Sequence, residues 1–237
     1  MRRVAIVTDS TADLSPQLLA TYDITVVPLK VLFGQEVLRD GVDITSEQFY
    51  DRLRKGELSG TSQPSPGEFL AAYTRLLACY ESVISLHISG SLSGTVQSAQ
   101  LARSMLAGKD ITVIDTRTTS VAQGYLVLRA AQMALEGRLR DEILAVIHAL
   151  LPEVKAYFVV DSLEYLQRGG RIGRAQGFVG TVLNIKPICT IREGIVYPYE
   201  KVRGREKALQ RLVDLLAQAA SLQPTGYSLV HGDFPEG

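Results

Sequence analysis

The 237-residue sequence predicts an α/β protein: an N-terminal domain with a mostly parallel sheet flanked by helices, plus a smaller C-terminal α/β domain with an antiparallel sheet. Two observations carry this. Apolar, β-branched runs at residues 4–7, 83–88 and 111–114 each lead into a small polar turn and then a helical pattern. Recurrence of strand, turn and helix at this spacing builds a parallel sheet with its polar turns gathered at the carboxyl edge. After Pro152 the pattern changes, and short strands flank Arg192-Glu193-Gly194, the signature of an antiparallel hairpin. The boundary near Pro152 gives domains at 1–152 and 153–237.

In order, residues 4–7 read as a strand buried on both faces. Leu14, Leu18 and Leu19 follow at helical spacing, with Asp13 or Ser15 as cap and Pro16 in the first turn. A second strand over 24–33 is interrupted by Pro28, and 34–43 is polar and irregular. A helix over 46–55 ends near Gly56, and a rigid hydroxyl-bearing loop at 60–67 leads to a helix capped by Ser65. The run at 83–88 enters the loop Ser89-Gly90-Ser91-Leu92-Ser93-Gly94-Thr95, and a helix begins near Thr95. The strand at 111–114 ends in Asp115 and the turn 115–120, followed by helices over 121–137 and 140–151. Beyond Pro152 come a strand at 156–160, a short helix ending at Gly169-Gly170 and a glycine-containing helix at 174–183. The hairpin 186–191/195–201, an amphipathic helix at 205–220 and a strand at 227–231 complete the reading.

Hydrophobic content of 46% against 21% charge is enough apolar material for a real core. Net charge is zero, so no global field steers the chain toward nucleic acid or membrane. The apolar run at 4–7 is too short for a signal-peptide core, and no stretch has the length of a membrane span. Cys79 and Cys189 stand far apart in apolar contexts, which reads as free thiols in a reducing compartment. The expected location is the cytoplasm.

Four hydroxyl-rich loops, at 8–11, 61–65, 89–95 and 115–120, are the chemical signal. Each alone is an ordinary helix cap. Side by side along one sheet edge, their N–H groups and hydroxyls would converge on a small anion, a carboxylate or a phosphate. The 89–95 loop has no lysine after its last glycine, so it is not a nucleotide P-loop. Its Gly90-Ser91-Leu92-Ser93-Gly94 has the glycine spacing of a nucleophile elbow, but Leu92 occupies the nucleophile's place. Of the three histidines, His87 lies in a strand and reads as a satisfied core residue. Asp9, Asp115 and Asp161 close strands with no second carboxylate beside them, which favours turn and cap roles over metal ligation. Charge is also unevenly placed: residues 168–211 carry +7 and the remainder −7. That is either a set of solvated faces or a basic surface for an acidic or phosphate-bearing partner.

The sequence Val7-Thr8-Asp9-Ser10-Thr11-Ala12-Asp13-Leu14 resembles the opening of the DegV family. So do Thr61-Ser62-Gln63-Pro64, Leu92-Ser93-Gly94-Thr95 with Gln97-Ser98-Ala99, and Leu166-Gln167-Arg168-Gly169-Gly170-Arg171. Lys186-Pro187-Ile188 and Lys201-Val202-Arg203 continue the resemblance over essentially the whole chain. It implies a two-domain protein that buries one long-chain fatty acid between its domains. Such a protein is not itself an enzyme and needs no cofactor or metal. It presents the acyl carboxylate to a separate ATP-binding fatty acid kinase subunit, which makes acyl-phosphate for phospholipid synthesis. By the same resemblance Thr61, Ser62, Ser93 and Gly94 hold the carboxylate, while Arg203, Arg205 and Lys207 face the kinase. Neutral donors suit that role, because a bidentate arginine would tie up both carboxylate oxygens. Burial at ~0.8 kcal/mol per methylene makes the tail, not the head, the main source of affinity.

The chain departs from the family pattern in two places. Gly90 stands where members usually have a second serine, and members extend past residue 231 to a glycine-rich Gly-Thr-His-type segment over the carboxylate, which the residues up to Gly237 do not supply. The alternatives to lipid presentation are an enzyme acting on a small carboxylate or phosphate ester through Ser93 or Asp9, and an interaction module using the basic second domain.

Overall fold

The computed structural model describes residues 2–178, 184–222 and 226–232. The chain divides into two compact units, residues 1–154 with 230–237, and residues 155–229.

The first unit opens with β1 (Arg2–Asp9), a single 3-10 turn at Ser10–Ala12, α1 (Pro16–Thr21), β2 (Ile24–Val27), β3 (Lys30–Phe33) and β4 (Glu36–Arg39). It continues with α2 (Ser46–Arg54), β5 (Ser59–Ser62), α3 (Pro66–Leu77), β6 (Tyr80–His87) and α4 (Thr95–Met105). β7 (Ile111–Asp115), α5 (Ser120–Leu135) and α6 (Arg140–Leu150) complete it. Local chemistry sets these starts. Ser15 accepts the Leu18 N–H and Pro16 takes the first position of α1. Ser65 and Glu68 form a reciprocal capping box on α3.

The main sheet has the order β2-β1-β6-β7 and is parallel throughout. Alternation along β1 and β6 separates two cores. Val4, Ile6, Ile84 and Leu86 pack against α5 and α6 through Leu126, Val127, Ile143 and Ile147. Ala5, Val7 and Val83 pack against α3 and α4 through Phe69, Tyr73, Ala99 and Ala102. Burial on both faces is what a parallel sheet requires. It also leaves the carboxyl edge, where β1, β6 and β7 end at Asp9, His87 and Asp115, as the place for polar loops.

The segment 24–33 breaks at Pro28 into β2 and β3, which belong to different sheets. Proline lacks the N–H that a continuous ladder needs. Residues 34–43 are not wholly irregular, because β4 pairs antiparallel with β3. The 60–67 loop begins as a strand: β5 pairs with β3, setting Thr61 opposite Val31 and Ser62 opposite Lys30. This second, small sheet has the order β4-β3-β5.

The second unit contains β8 (Tyr157–Val159), α7 (Glu164–Arg168), a 3-10 helix at Gly173–Phe178, β9 (Ile185–Arg192), β10 (Ile195–Arg203) and α8 (Arg205–Leu222). Its sheet is antiparallel with the order β10-β9-β8. The β9–β10 hairpin turns through Glu193 and Gly194, both at positive φ. The helix expected over 174–183 is a 3-10 helix as far as Phe178, and its remainder lies outside the described residues. Gly173 and Gly177 weaken an α-helix there. The strand expected at 227–231 does not form. Tyr227 and Leu229 stand exposed outside any ladder, so apolar alternation alone does not make a strand. Among the described residues no helix is long and apolar enough to cross a membrane, and Cys79 and Cys189 are free thiols.

Candidate functional site

Three of the four hydroxyl loops lie at the ends of the adjacent strands β1, β6 and β7, and hydrogen bonds lace them together. Ser89 N–H donates to Thr118 O (2.9 Å), and Thr116 donates through N–H and Oγ1 to His87 O (3.1 and 2.7 Å). Gly90 N–H donates to Asp115 Oδ2 (3.2 Å). A Cβ on Gly90 would stand 3.0 Å from that same oxygen, so the glycine permits this close approach.

The fourth loop joins through Gln63. Its side-chain amide packs on Gly94, where an added Cβ would be 2.9 Å from Nε2. Thr61 and Ser62 immediately precede Gln63 at the end of β5. Lys30, opposite Ser62, is the cation nearest in register, and its Nζ lies 2.8 Å from Glu68 Oε2. Glu68 also accepts from Ser65 N–H and Oγ. Burial acts to raise the Glu68 carboxyl, but the bonds from Lys30 and Ser65 hold it below its ordinary range. The lysine's charge is thereby matched within the protein.

At Ser93–Thr95 this edge offers a ligand neutral donors. Gly94 is the N-cap of α4 and no side chain caps that helix, so its first-turn N–H groups carry the positive end of the helix dipole uncovered. Ser93 Oγ lies 2.8 Å from Thr95 Oγ1. Ser93, Gly94 and Ser62 are half-buried and Thr61 is exposed. The hydroxyls of Thr8 and Thr116 are buried and bonded to backbone carbonyls, so they build the loops rather than face a ligand.

Behind the loops is a buried polar relay that reading the residues singly missed. His87 Nδ1 lies 2.9 Å from Asp9 Oδ2, and His87 Nε2 lies 2.6 Å from Ser85 Oγ. Ser85 Oγ accepts from Tyr73 Oη at 2.9 Å. All of Asp9, Ser85, His87 and Tyr73 are fully buried. The Tyr73 proton on Ser85 leaves the serine to donate to Nε2, which makes His87 the Nδ1–H tautomer donating to Asp9. Asp9 Oδ1 further accepts from Thr11 N–H and Oγ1, and Oδ2 from Ile88 N–H and Gln123 Nε2. Burial acts to raise the Asp9 carboxyl, but these donors, His87 first, hold it below its ordinary value. The order Ser85–His87–Asp9 is that of a hydrolase triad, yet the serine has no path to substrate and Asp9 has no free oxygen. The signal was present in parity: residues 5, 7 and 9 of β1 and 83, 85 and 87 of β6 share one sheet face, and Val7 pairs with Ser85.

In the second unit, Arg203 closes β10, while Arg205 and Lys207 begin α8, and all three are exposed. Arg205 lies 3.9 Å from Asp161, which Lys186 also contacts at 2.8 Å. Arg211 pairs with Glu200 and Arg168 with Glu164, so part of the local positive charge is matched. Among the described residues no group of three or more His, Cys, Asp or Glu is placed to hold a metal.

A family model described as "Uncharacterised protein, DegV family" matches residues 3–236, and the chain belongs to the DegV family. It is 40% identical over 237 residues to a DegV domain-containing protein of Caldanaerobacter subterraneus subsp. tengcongensis, covering 100% of this chain and 85% of that protein. Among solved structures, a DegV family protein from Thermus thermophilus described for its fatty acid binding is 41% identical with a TM-score of 0.84, over 92% of this chain and 78% of that one. DegV from Bacillus subtilis, a fatty acid binding protein, is 38% identical with a TM-score of 0.86, over 94% and 79% of the two chains.

Proposed function

We propose that this chain binds one long-chain fatty acid, with the carboxylate held at the carboxyl edge of the main sheet by Thr61, Ser62, Ser93 and Gly94. The observation that carries the reading is the uncapped amino end of α4 at Gly94, with Ser93 beside it and Gln63 closing on it from the Thr61–Ser62 strand. Relatives described as fatty-acid-binding share this fold at 38–41% identity. No guanidinium or ammonium is needed, because N–H groups and hydroxyls supply the donors.

The same chemistry suits presentation of the carboxylate to a separate ATP-binding kinase subunit. An oxygen held by neutral donors stays nucleophilic. In the reaction that oxygen attacks the γ-phosphorus of ATP, the bond to the β-γ bridging oxygen breaks, and ADP leaves as acyl-phosphate forms. This chain supplies the bound acyl group, and the partner supplies ATP and the catalytic groups. Arg203, Arg205 and Lys207 are exposed cations suited to an acidic partner face, and the chain needs no cofactor of its own.

Organic extraction of the purified protein followed by mass spectrometry tests the binding step. A retained long-chain fatty acid in about equimolar amount is expected, and a repeatedly empty protein that also fails to bind added palmitate sinks the reading. ATP-dependent acyl-phosphate formation on adding a fatty acid kinase subunit tests the presenting step.

A further inference from the structure

The buried relay contacts the three loops at the ends of β1, β6 and β7 without touching solvent. Asp9 accepts Thr11 N–H and Oγ1 in the first loop and Ile88 N–H at the head of the second. It also accepts Gln123 Nε2 from the first turns of α5, and that amide's other end lies 3.1 Å from Thr11 Oγ1. His87, bonded to Asp9 through Nδ1, gives its backbone carbonyl to Thr116 of the third loop. One buried anion therefore ties together the ends of two adjacent strands and the helix that follows the third.

We propose that Asp9 and His87 are positioning residues for the carboxylate site, acting through the Nδ1–H to Oδ2 bond to hold the loops at 8–11, 88–95 and 115–120 in binding register. This deepens the fatty-acid-binding reading and rests on it. The half of the relay facing the helices, His87 Nε2 to Ser85 and Tyr73, lies toward Phe69 in the core, whose ring stands edge-on to the imidazole at 5.0 Å. That half is packing. The Asp9 half sets the loops.

Two substitutions at one position separate the halves. Asparagine places an amide donor near the Nδ1 position and keeps the bond to Asp9, while glutamine reaches the Nε2 position and keeps only the side facing Ser85. Wild type, H87N and H87Q are titrated with palmitate against a fluorescent fatty-acid probe, and the thermal midpoint of each is measured. H87N is expected to bind within about threefold of wild type and H87Q about tenfold or more weaker, with similar midpoints for the two variants. Equal affinities for H87N and H87Q, or losses that track each midpoint, overturn the proposal. Wild type that binds no fatty acid overturns instead the reading beneath it. Should H87Q not fold, T11V removes a donor to Asp9 at a half-buried position, and unchanged palmitate affinity there overturns the proposal equally.

Discussion

Gln63 Nε2 lies 2.9 Å from where a Cβ on Gly94 would stand, so two loops from different sheets meet through one side-chain amide and one missing methyl. The contact explains why glycine serves as the N-cap of α4. A methyl there displaces Gln63, and because the displaced atom ends a flexible side chain, the fold absorbs the change. Gly94→Ala is therefore expected to cost under about 1 kcal/mol in stability while weakening fatty-acid affinity severalfold. Urea unfolding beside a palmitate titration checks both, and unchanged affinity would show that Gln63 does not close the site.

Removal of a donor has a larger effect. A hydrogen bond to a charged group contributes about 1.5–3 kcal/mol, so Ser93→Ala is expected to weaken palmitate binding about tenfold to a hundredfold. Ser93 is half-buried, and among the described residues it bonds to the neighbouring Thr95 hydroxyl and, through its own N–H, to the Ser89 carbonyl, so the fold should survive. A methyl ester of the same acid should bind wild type and variant alike.

The parallel sheet was legible because each buried strand ends abruptly in hydroxyl residues, as at Val7-Thr8 and Ile88-Ser89. The hydroxyl loops were legible as a group, but not which hydroxyls face outward. Thr8 and Thr116 look like Ser93 in sequence and differ only in having a carbonyl within reach, which a tertiary contact decides. In the small β4-β3-β5 sheet, β3 falls within the strand read over 24–33, but the four-residue β4 and β5 escaped notice, being too short for alternation to register. Gln63 and Gln123 also escaped, since a glutamine's role is set by what it meets 31 or 114 positions away. The expected strand at 227–231 shows the converse: the alternation is present in sequence, yet the segment joins no ladder.

Gly124→Ala tests the packing that supports the first loop. Its Cβ would collide with the Ala12 carbonyl oxygen and stand 3.1 Å from Leu14 Cδ2. Backbone cannot swing aside as Gln63 can, so a loss of about 1–3 kcal/mol is expected in urea unfolding, an overpacking cost. Since Ala12 closes the turn that contains Thr11, fatty-acid affinity should fall as well.

The two thiols should separate cleanly. Cys79 is exposed, while burial pushes the Cys189 thiol up to about 11. The thiolate is the reactive form, so at neutral pH one equivalent of an aromatic disulfide reagent should react quickly and the second only after unfolding. Two fast equivalents would show that the β8–β9 sheet opens readily.

Asp9 makes the sharpest prediction about acid. Its carboxyl is held below the ordinary value of 3.8, so the folded protein binds the proton less readily than the unfolded chain does. Its contribution is therefore complete above about pH 5 and is lost as pH falls through the folded value. Protonation would turn one oxygen from acceptor to donor, facing the backbone N–H groups of Thr11 and Ile88, which cannot reverse. Urea unfolding of wild type between pH 7 and pH 2.5 should show stability falling from about pH 4 downward. Asp9→Asn should be less stable at pH 7, because it replaces an acceptor with a donor in a buried cluster of donors. Its stability should also fall less steeply below pH 4, since the group that takes up the proton is gone. A variant with the wild-type slope would mean that the acid transition belongs to other carboxylates, and that the buried anion is not what holds the loop ends together.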